Sequence, residues 1–190
     1  MPTASDSLVT IYEGWDGYHQ SIVEAVSPLT NEQLQWRPAS DLRSVGELVR
    51  HIALGRLGWF QRMDAPGSAE FARRVSTWEQ DPDWNRYVNE EAVAGPDEAT
   101  ALVQVLDASW QMVDATLKTW RVTDLGESYR HAYRGTTYAV SRQWTLWRIM
   151  AHDIHHGGEL ALMLGIQGIE CFSLGALGGH IIEPPLAEQP

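Results

Sequence analysis

The sequence predicts an all-α protein with the architecture of a four-helix bundle. Four segments repeat apolar residues at spacings of three and four, and strand-like alternation is confined to one short region. A polar stretch, residues 68–95, separates the second helical segment from the third and is long enough to cross the bundle instead of turning tightly. With 190 residues available, we expect one domain spanning residues 1–190.

The first helix is predicted over residues 7–27. Its apolar face is formed by Leu8, Ile11, Trp15, Tyr18, Ile22, Ala25 and Leu29. Thr30 then has the character of a helix cap and precedes a short helix. The second long helix is predicted over residues 44–63, because Ser44 and Glu47 have the spacing of a capping box.

The remaining helices follow the same periodicity. A short helix is expected inside the connection, over residues 69–80. The third long helix starts at Asp97, and its inward face is formed by Leu102, Leu106, Ser109, Val113, Thr116 and Trp120. Residues 129–140 alternate enough in polarity to predict a small hairpin. The fourth helix then covers residues 141–164 and is expected to end at Gly165.

Charge and composition exclude several classes of protein. The formal net charge is −11 with 14 lysines and arginines, so the surface would on average repel nucleic acid. No run of about 18 uncharged apolar residues is present, and the N-terminus lacks a secretory pattern, so we expect a cytoplasmic protein without membrane spans. Cys171 is the single cysteine, which excludes an internal disulfide and favours a small packed hydrophobic side chain.

Nine tryptophans are an unusual number for a chain of this length. We interpret them mainly as large core residues that anchor the packing of the helices. The alternative is that a few of them line an apolar ligand cavity.

Near the C-terminal end, residues 152–159 read HDIHHGGE and place three histidines within five positions. At 100° per residue, His152 and His156 lie about 40° apart on the apolar stripe of the fourth helix, whereas His155 lies about 60° to the other side. Positions i and i+4 hold Cβ atoms roughly 5–6 Å apart, so two imidazoles can share one metal ion. The alternative is a pair of core histidines, each with its own hydrogen bond.

A metal site needs a third ligand, and His51 is the strongest candidate. It borders the apolar stripe of the second helix, and Gly55 and Gly58 share its face. Glycine inside a helix costs up to about 1 kcal/mol relative to alanine, so two of them indicate a need for space, either for a metal and its substrate or for close helix packing. Three imidazoles leave coordination positions open, which is the catalytic pattern, and they suit zinc, nickel, iron or copper.

The other histidines are assigned less specific roles. We expect His19, His131 and His155 to be structural or exposed. His180 follows Gly178-Gly179, which is typical of a surface histidine in a turn.

Three segments resemble the DinB/YfiT-like superfamily of small metal-binding four-helix bundles: LTNEQLQWRP, SVGELVRHIALGRLGWF and TLWRIMAHDIHHGGELALMLG. The resemblance covers most of the chain, and its strongest elements are a histidine in helix two and an HxxxH pair in helix four. It implies an up-down-down-up bundle with a long crossover between helices two and three. It also implies a homodimer and a divalent metal held by His51, His152 and His156.

Three hypotheses for the function follow. Because characterised members of that superfamily include S-transferases that use bacillithiol or mycothiol, the first is a metal-dependent thiol S-transferase acting on a small electrophile. Glu159 is then the nearest group for handling the proton, and Asp153 and Glu47 are candidates for supporting the imidazoles.

The second hypothesis is metal-dependent hydrolysis, since HDIHH matches the HExxH template with Asp153 as the base. The third is a non-enzymatic stress protein that binds a metal or ligand.

Overall fold

A computed structural model describes residues 7–75, 78–81, 85–88 and 98–171. The helices are α1 (Leu8–Ile11), α2 (Trp15–Val26), α3 (Asn31–Gln35), α4 (Val45–Arg62), α5 (Ser68–Arg74), α6 (Ala99–Thr119) and α7 (Arg142–Ile166), and a 3₁₀ helix covers Val122–Gly126. Two antiparallel hairpins complete the fold: β1 (Trp78–Asp81) with β2 (Asn85–Val88), and β3 (Ser128–Tyr133) with β4 (Thr136–Ser141). Within these residues, no helix combines the length and apolar character needed to cross a membrane.

The four long helices, α2, α4, α6 and α7, have the up-down-down-up arrangement. α2 and α7 run parallel, because Trp15 contacts Asp153 and, about one turn further along both helices, Tyr18 lies against Gly157. α6 runs antiparallel to α2, as their contacts at successive turns show. The crossing connection between α4 and α6 makes this order of directions feasible.

The apolar core consists of two clusters stacked along the bundle axis, and a polar layer separates them. Along α4, Ile52 belongs to one cluster and Phe60 to the other, and both are fully buried. Arg56 lies between them at the same helical phase and is also fully buried. Each fully buried apolar side chain contributes roughly 1.5–3 kcal/mol, so both clusters stabilise the bundle strongly. The buried charges of the layer between them must be paired with opposite charges and hydrogen-bonded.

The predicted cap of α4 is confirmed. The Ser44 hydroxyl accepts a hydrogen bond from the backbone N–H of Glu47 at 3.2 Å, and the Glu47 carboxylate accepts one from the backbone N–H of Ser44 at 2.7 Å. Thr30 and Gln33 form the same reciprocal pair at the start of α3. These side chains satisfy N–H groups that a helix leaves unpaired at its first turn, so local sequence alone determines where both helices begin.

The end of α7 differs from the prediction. Gly165 lies inside the helix, which continues to Ile166, and the left-handed residue that terminates it is Gly168 with φ 74°. The N–H of Gly168 donates to the carbonyl of Gly165, and the N–H of Ile169 donates to that of Leu164, both at 3.0 Å. This is the Schellman pattern, and it requires glycine three positions later than expected.

The first predicted helix is wrong in one respect, because the chain forms two helices instead of one. Gly14 adopts φ 91°, a left-handed conformation that glycine tolerates without a steric penalty, and α2 starts at the next residue. The break changes the helical phase, so Ile11 is 51% exposed although Leu8 and Trp15 are buried.

The connection between α4 and α6 also differs from the prediction of a helix over residues 69–80. α5 ends at Arg74, and the segment from Trp78 pairs with a second strand, so its backbone hydrogen bonds come from outside the helical i, i+4 pattern. The predicted hairpin before α7 is confirmed as β3–β4. Its turn is formed by Arg134 and Gly135, with φ 48° and 73°, which is the backbone of a tight two-residue turn.

Gly157 and Gly158 offer a matched test of the α2–α7 contact. A Cβ at Gly157 would lie 2.0 Å from Oη of Tyr18, whereas one at Gly158 would meet no described atom within 4 Å. We expect Gly157→Ala to lower the free energy of unfolding by about 1–3 kcal/mol, because Tyr18 must move. Gly158→Ala should raise it by up to about 1 kcal/mol. Urea unfolding checks both, and equal effects at the two positions would contradict the prediction.

Candidate metal centre

Three imidazoles converge in the groove between α4 and α7. His51 projects from α4, and His152 and His156 project from successive turns of α7. The Nε2 atoms of His51 and His152 are 3.1 Å apart, and the three pairs of ring centroids are separated by 4.4–4.9 Å. One nitrogen from each residue lies within 4.8 Å of the other two. The three residues predicted as ligands therefore lie together.

The helices approach closely here because Gly55 has no side chain. A Cβ at Gly55 would lie 2.7 Å from Cε1 of His152 and 3.1 Å from its Nε2, so even alanine would displace the ring. The two glycines of α4 predicted a need for space between the helices, and the structure shows this need at Gly55. Gly58 has a different neighbour, since the guanidinium of Arg62 donates to its carbonyl at 2.8 Å.

Glu159 holds His156 in one tautomer. Its Oε2 lies 2.7 Å from Nδ1 of His156, so Nδ1–H donates to the carboxylate and the lone pair of Nε2 is left for a metal. Burial lowers the pKa of His156 to about 4; the Glu159 carboxylate opposes this shift, and His152 and His51 add to it. The imidazole is therefore neutral at pH 7, the form that binds metals.

Glu159 lies at the mouth of the groove, where its side chain is 45% exposed. Burial alone would raise the pKa of this carboxyl, but the hydrogen bond from His156 and the charges of His156, His155 and Arg43 lower it below its usual value. Its second oxygen lies 3.2 Å from Nε2 of His155, whose side chain is 67% exposed. His155 therefore points away from the groove, as its helical phase predicted.

Asp153 lies behind His152, on the side opposite to His51. Its Oδ1 is 3.8 Å from Nδ1 of His152, and neither of these buried atoms has a hydrogen-bond partner among the described residues. A small movement would bring the two atoms within hydrogen-bonding distance. Carboxylates in this position orient histidines that bind metals through their other nitrogen.

Asp153 is in turn held by a buried ion pair. Its Oδ2 accepts hydrogen bonds from Nε of Arg56 at 2.9 Å and from the indole N–H of Trp15 at 2.8 Å. Arg56 also donates to the hydroxyl of Ser109 at 3.0 Å and to Nδ1 of His19 at 3.3 Å. These five residues come from all four long helices and form the polar layer of the core.

The tautomer of His19 is determined by this layer. Because arginine can only donate, Nδ1 of His19 accepts from Arg56, and Nε2–H donates to Asp107 at 3.3 Å. The ring also stacks on Trp110, with the ring centroids 5.0 Å apart. Burial lowers the pKa of His19 to about 3, the positive charge of Arg56 adds to this, and Asp153 opposes it. His19 is thus structural, as expected.

The sequence did not predict the contacts of two residues near the centre. Glu47 caps α4 and accepts a hydrogen bond from the guanidinium of Arg37 at 2.9 Å, and its support of an imidazole stays a prediction. Arg56 was missed. The available signal was an arginine four residues after Ile52 on an otherwise apolar stripe, together with an aspartate beside the histidines of α7. A buried arginine requires a buried acid.

The other predicted side chains lie away from the three imidazoles. His131 is 6% exposed, on β3, and its ring lies 5.0 Å from that of Trp59. Cys171 is half-buried and packs against the core cluster that contains Ile52. His180 lies outside the described residues.

The three-histidine cluster fits a divalent metal ion. Two nitrogens held about 2.0–2.1 Å from one tetrahedral ion stand roughly 3.3–3.4 Å apart, close to the 3.1 Å observed between His51 and His152. The unpartnered Nδ1 of His152 beside Asp153 matches the usual support of a metal-binding histidine. Imidazole donors do not distinguish zinc, nickel and iron.

A mostly helical bundle that brings three histidines together between two of its helices is typical of a class of small proteins that could bind a metal ion. Residues 16–160 match the DinB superfamily. This segment is well over half of the chain, so the protein belongs to that superfamily.

Solved structures show the same fold. A DinB-like protein from Bacillus cereus ATCC 10987 is 16% identical, with a TM-score of 0.60 over 83% of this chain and 90% of that one. A conserved protein from Enterococcus faecalis is 20% identical, with a TM-score of 0.58 over 79% of this chain and 90% of that one. No curated protein matches the sequence. At these identities the likeness concerns the fold alone.

Gly55→Ala tests the space beside His152. We expect it to lower the affinity for a divalent metal at least about tenfold, because the new Cβ displaces the ring of His152 from its position. Gly58→Ala is the matched control on the same helix and should bind metal like the wild type. Competition with a chromophoric chelator measures both affinities, and equal affinities would contradict the prediction.

The lowered pKa of His19 predicts that the free energy of unfolding falls in acid. Its pKa of about 3 in the folded protein lies below the ordinary 6.5, so the unfolded chain binds a proton that the folded chain excludes. The contribution of neutral His19 to the free energy of unfolding is complete above pH 6.5 and is lost as the pH falls toward 3. Between pH 7 and pH 5 the loss should be about 2 kcal/mol.

Urea unfolding of metal-free protein at these two pH values measures the effect. His19→Asn should remove about 2 kcal/mol of the pH dependence, whereas the matched change His155→Asn at an exposed histidine should leave it unchanged. A His19→Asn variant with the same pH dependence as the wild type would refute the assignment.

Proposed function

We propose that this protein is a divalent-metal-dependent enzyme that transfers a small electrophile to the sulfur of a low-molecular-weight thiol. The observation that carries the proposal is the set of three imidazole donors, His51, His152 and His156, brought together between α4 and α7. Among the described residues no fourth side chain joins this set. Three protein ligands with open positions are typical of catalytic metal sites, whereas structural sites are closed by four.

Membership of the DinB superfamily supports thiol chemistry in particular. A divalent metal bound at the three histidines would supply Lewis acidity that lowers the pKa of a thiol. In the proposed reaction the sulfur of R–SH forms a bond to the electrophilic carbon. The bond from that carbon to the leaving group breaks, and the leaving group departs with the electron pair and gains a proton.

The residues around the cluster have distinct parts in this proposal. Glu159 orients His156 and, because it is half-exposed at the mouth of the groove, passes the thiol proton towards solvent. Its lowered pKa keeps the carboxylate ionised at pH 7, the form that can accept a proton. Asp153 positions His152 from behind, and Arg56 holds Asp153 in place.

The position of Asp153 argues against hydrolysis with this residue as the base. Its carboxylate is fully buried and faces Nδ1 of His152, whereas Nε2 of the same ring faces His51. A base must reach the proton that it removes, so Asp153 would have to act from the wrong side of the ring.

We further propose that the enzyme is a cytoplasmic homodimer. The outer face of α7 supports an association between copies, because Trp147, Ile154 and Leu162 are 64%, 47% and 66% exposed. Apolar side chains of this size on one helix face are typical of a surface that another protein covers.

Metal analysis is the first test. Protein purified without an affinity tag should contain about one divalent ion per chain. His152→Ala should lower the affinity for that ion more than about 100-fold, the upper limit for losing only an outer support of a ligand. His155→Ala is the matched control and should retain the metal. Absence of metal together with identical behaviour of the two variants would indicate core histidines.

Thiol transfer is the second test. Bacillithiol, mycothiol or cysteamine should raise the melting temperature of the metal-loaded wild type but not of His152→Ala. Transfer to 1-chloro-2,4-dinitrobenzene, followed by absorbance, should be slowed about 10- to 100-fold by Glu159→Gln. Failure of every thiol to bind or react with metal-loaded protein would refute the transferase and favour a non-enzymatic metal-binding protein.

A further inference from the structure

A second feature lies between the three histidines and the β3–β4 hairpin. A cavity of about 730 Å³ lies between the β3–β4 hairpin and the helices α4 and α7. Aromatic and cationic side chains define its chemistry: Trp59, Trp144, Tyr133, Tyr138, His131 and Arg148. This volume is within the range of sites that enclose small organic molecules.

Two indoles form part of the cavity wall. Trp59 and Trp144 lie together, with ring centroids 5.6 Å apart, and Trp144 is 47% exposed. Such an exposed indole gains much from covering by a second ring. The shape and polarity of these walls suit a planar aromatic group.

Arg148 gives the cavity a positive charge. Its guanidinium carbon lies 4.8 Å from the ring centroid of Trp59 and 5.3 Å from that of Trp144. Within the described residues Arg148 forms no ion pair with a carboxylate, although the chain carries a formal net charge of −11. An arginine placed on aromatic faces without an acid is suited to bind an anionic group on a flat ligand.

His131 adds a polar group at the hairpin side of the cavity. The residue is 6% exposed, and its Nδ1 is buried without a hydrogen-bond partner among the described residues. Burial lowers its pKa, and the cations of Arg62 and Arg148 act in the same direction. A buried unpartnered imidazole nitrogen is unusual in a folded protein, and a ligand oxygen beside the two arginines would satisfy it.

Two residues of the cavity lining lie one helical turn from residues of the metal centre. Arg148 precedes His152 by one turn of α7, and Trp59 follows Gly55 by one turn of α4. One turn is about 5.4 Å along a helix, so a small molecule can extend from the histidines into the cavity.

We propose that this cavity binds planar aromatic carboxylates, with the ring against the exposed indole of Trp144 and the carboxylate at Arg148 and His131. The proposal rests on the proposed function in one respect, because it assigns the substrate class of that enzyme: an electrophile that carries an aromatic carboxylate. The binding itself does not require the metal.

Calorimetry with 2-naphthoate tests the proposal on metal-free full-length protein, so that the carboxylate cannot bind to a metal. We expect 2-naphthoate to bind at least about fivefold more tightly than the neutral 2-naphthamide. Arg148→Gln should weaken naphthoate binding roughly five- to tenfold and leave naphthamide unchanged. Trp144→Leu should weaken both ligands, because it removes an aromatic wall.

Arg130→Gln is the matched control, since Arg130 is exposed on the same hairpin and does not line the cavity. It should bind both ligands like the wild type. Equal binding of the two ligands, no binding of either, or no effect of Arg148→Gln would overturn the proposal.

Two further measurements separate this proposal from the proposed function. His51→Ala should retain naphthoate binding although it loses metal, and loss of naphthoate binding in this variant would show that the ligand sits at the histidines instead. Naphthoate binding with intact Arg148 dependence, in protein that transfers no thiol, would support the cavity while refuting the transferase.

Discussion

The arrangement of the bundle depends on the buried ion pair between Arg56 and Asp153. Both side chains are fully buried, and removing either partner of such a pair typically costs 3–5 kcal/mol because the other charge stays uncompensated. Trp15 and His19 of α2 and Ser109 of α6 add hydrogen bonds to the pair. Since all four long helices contribute, the layer favours one register among them, which apolar clusters alone would specify less sharply.

The geometry of the metal centre depends on the polar layer of the core. Asp153 is the immediate neighbour of His152 in the chain, so fixing the aspartate against Arg56 also fixes the phase of α7 opposite His51. Gly55 then permits the close approach that the aligned helices need. A cationic aromatic cavity lies between the same two helices and the β3–β4 hairpin, and its Trp59 and Arg148 are one turn from Gly55 and His152.

Much of the fold was predictable because its signals are local. Helix caps at Thr30 and Ser44 involve residues three positions apart, and the apolar faces of the long helices repeat every three or four residues. The errors arose where local signals compete. The prediction of one continuous first helix missed the break at Gly14. The helix predicted over residues 69–80 included the first residues of β1, because strand pairing is a contact between separate segments.

The sequence by itself determined which histidines share a face: helical phase pairs His152 with His156, and His51 borders an apolar stripe. Helical phase gives the direction of a side chain from the axis of its own helix. It does not show which residue of another helix the side chain contacts. Only the tertiary structure decided that Asp153 meets Arg56 in the core and that two tryptophans, a histidine and an arginine enclose a cavity. Those contacts join residues far apart in the chain, and their energies depend on burial, which exists only once the helices pack.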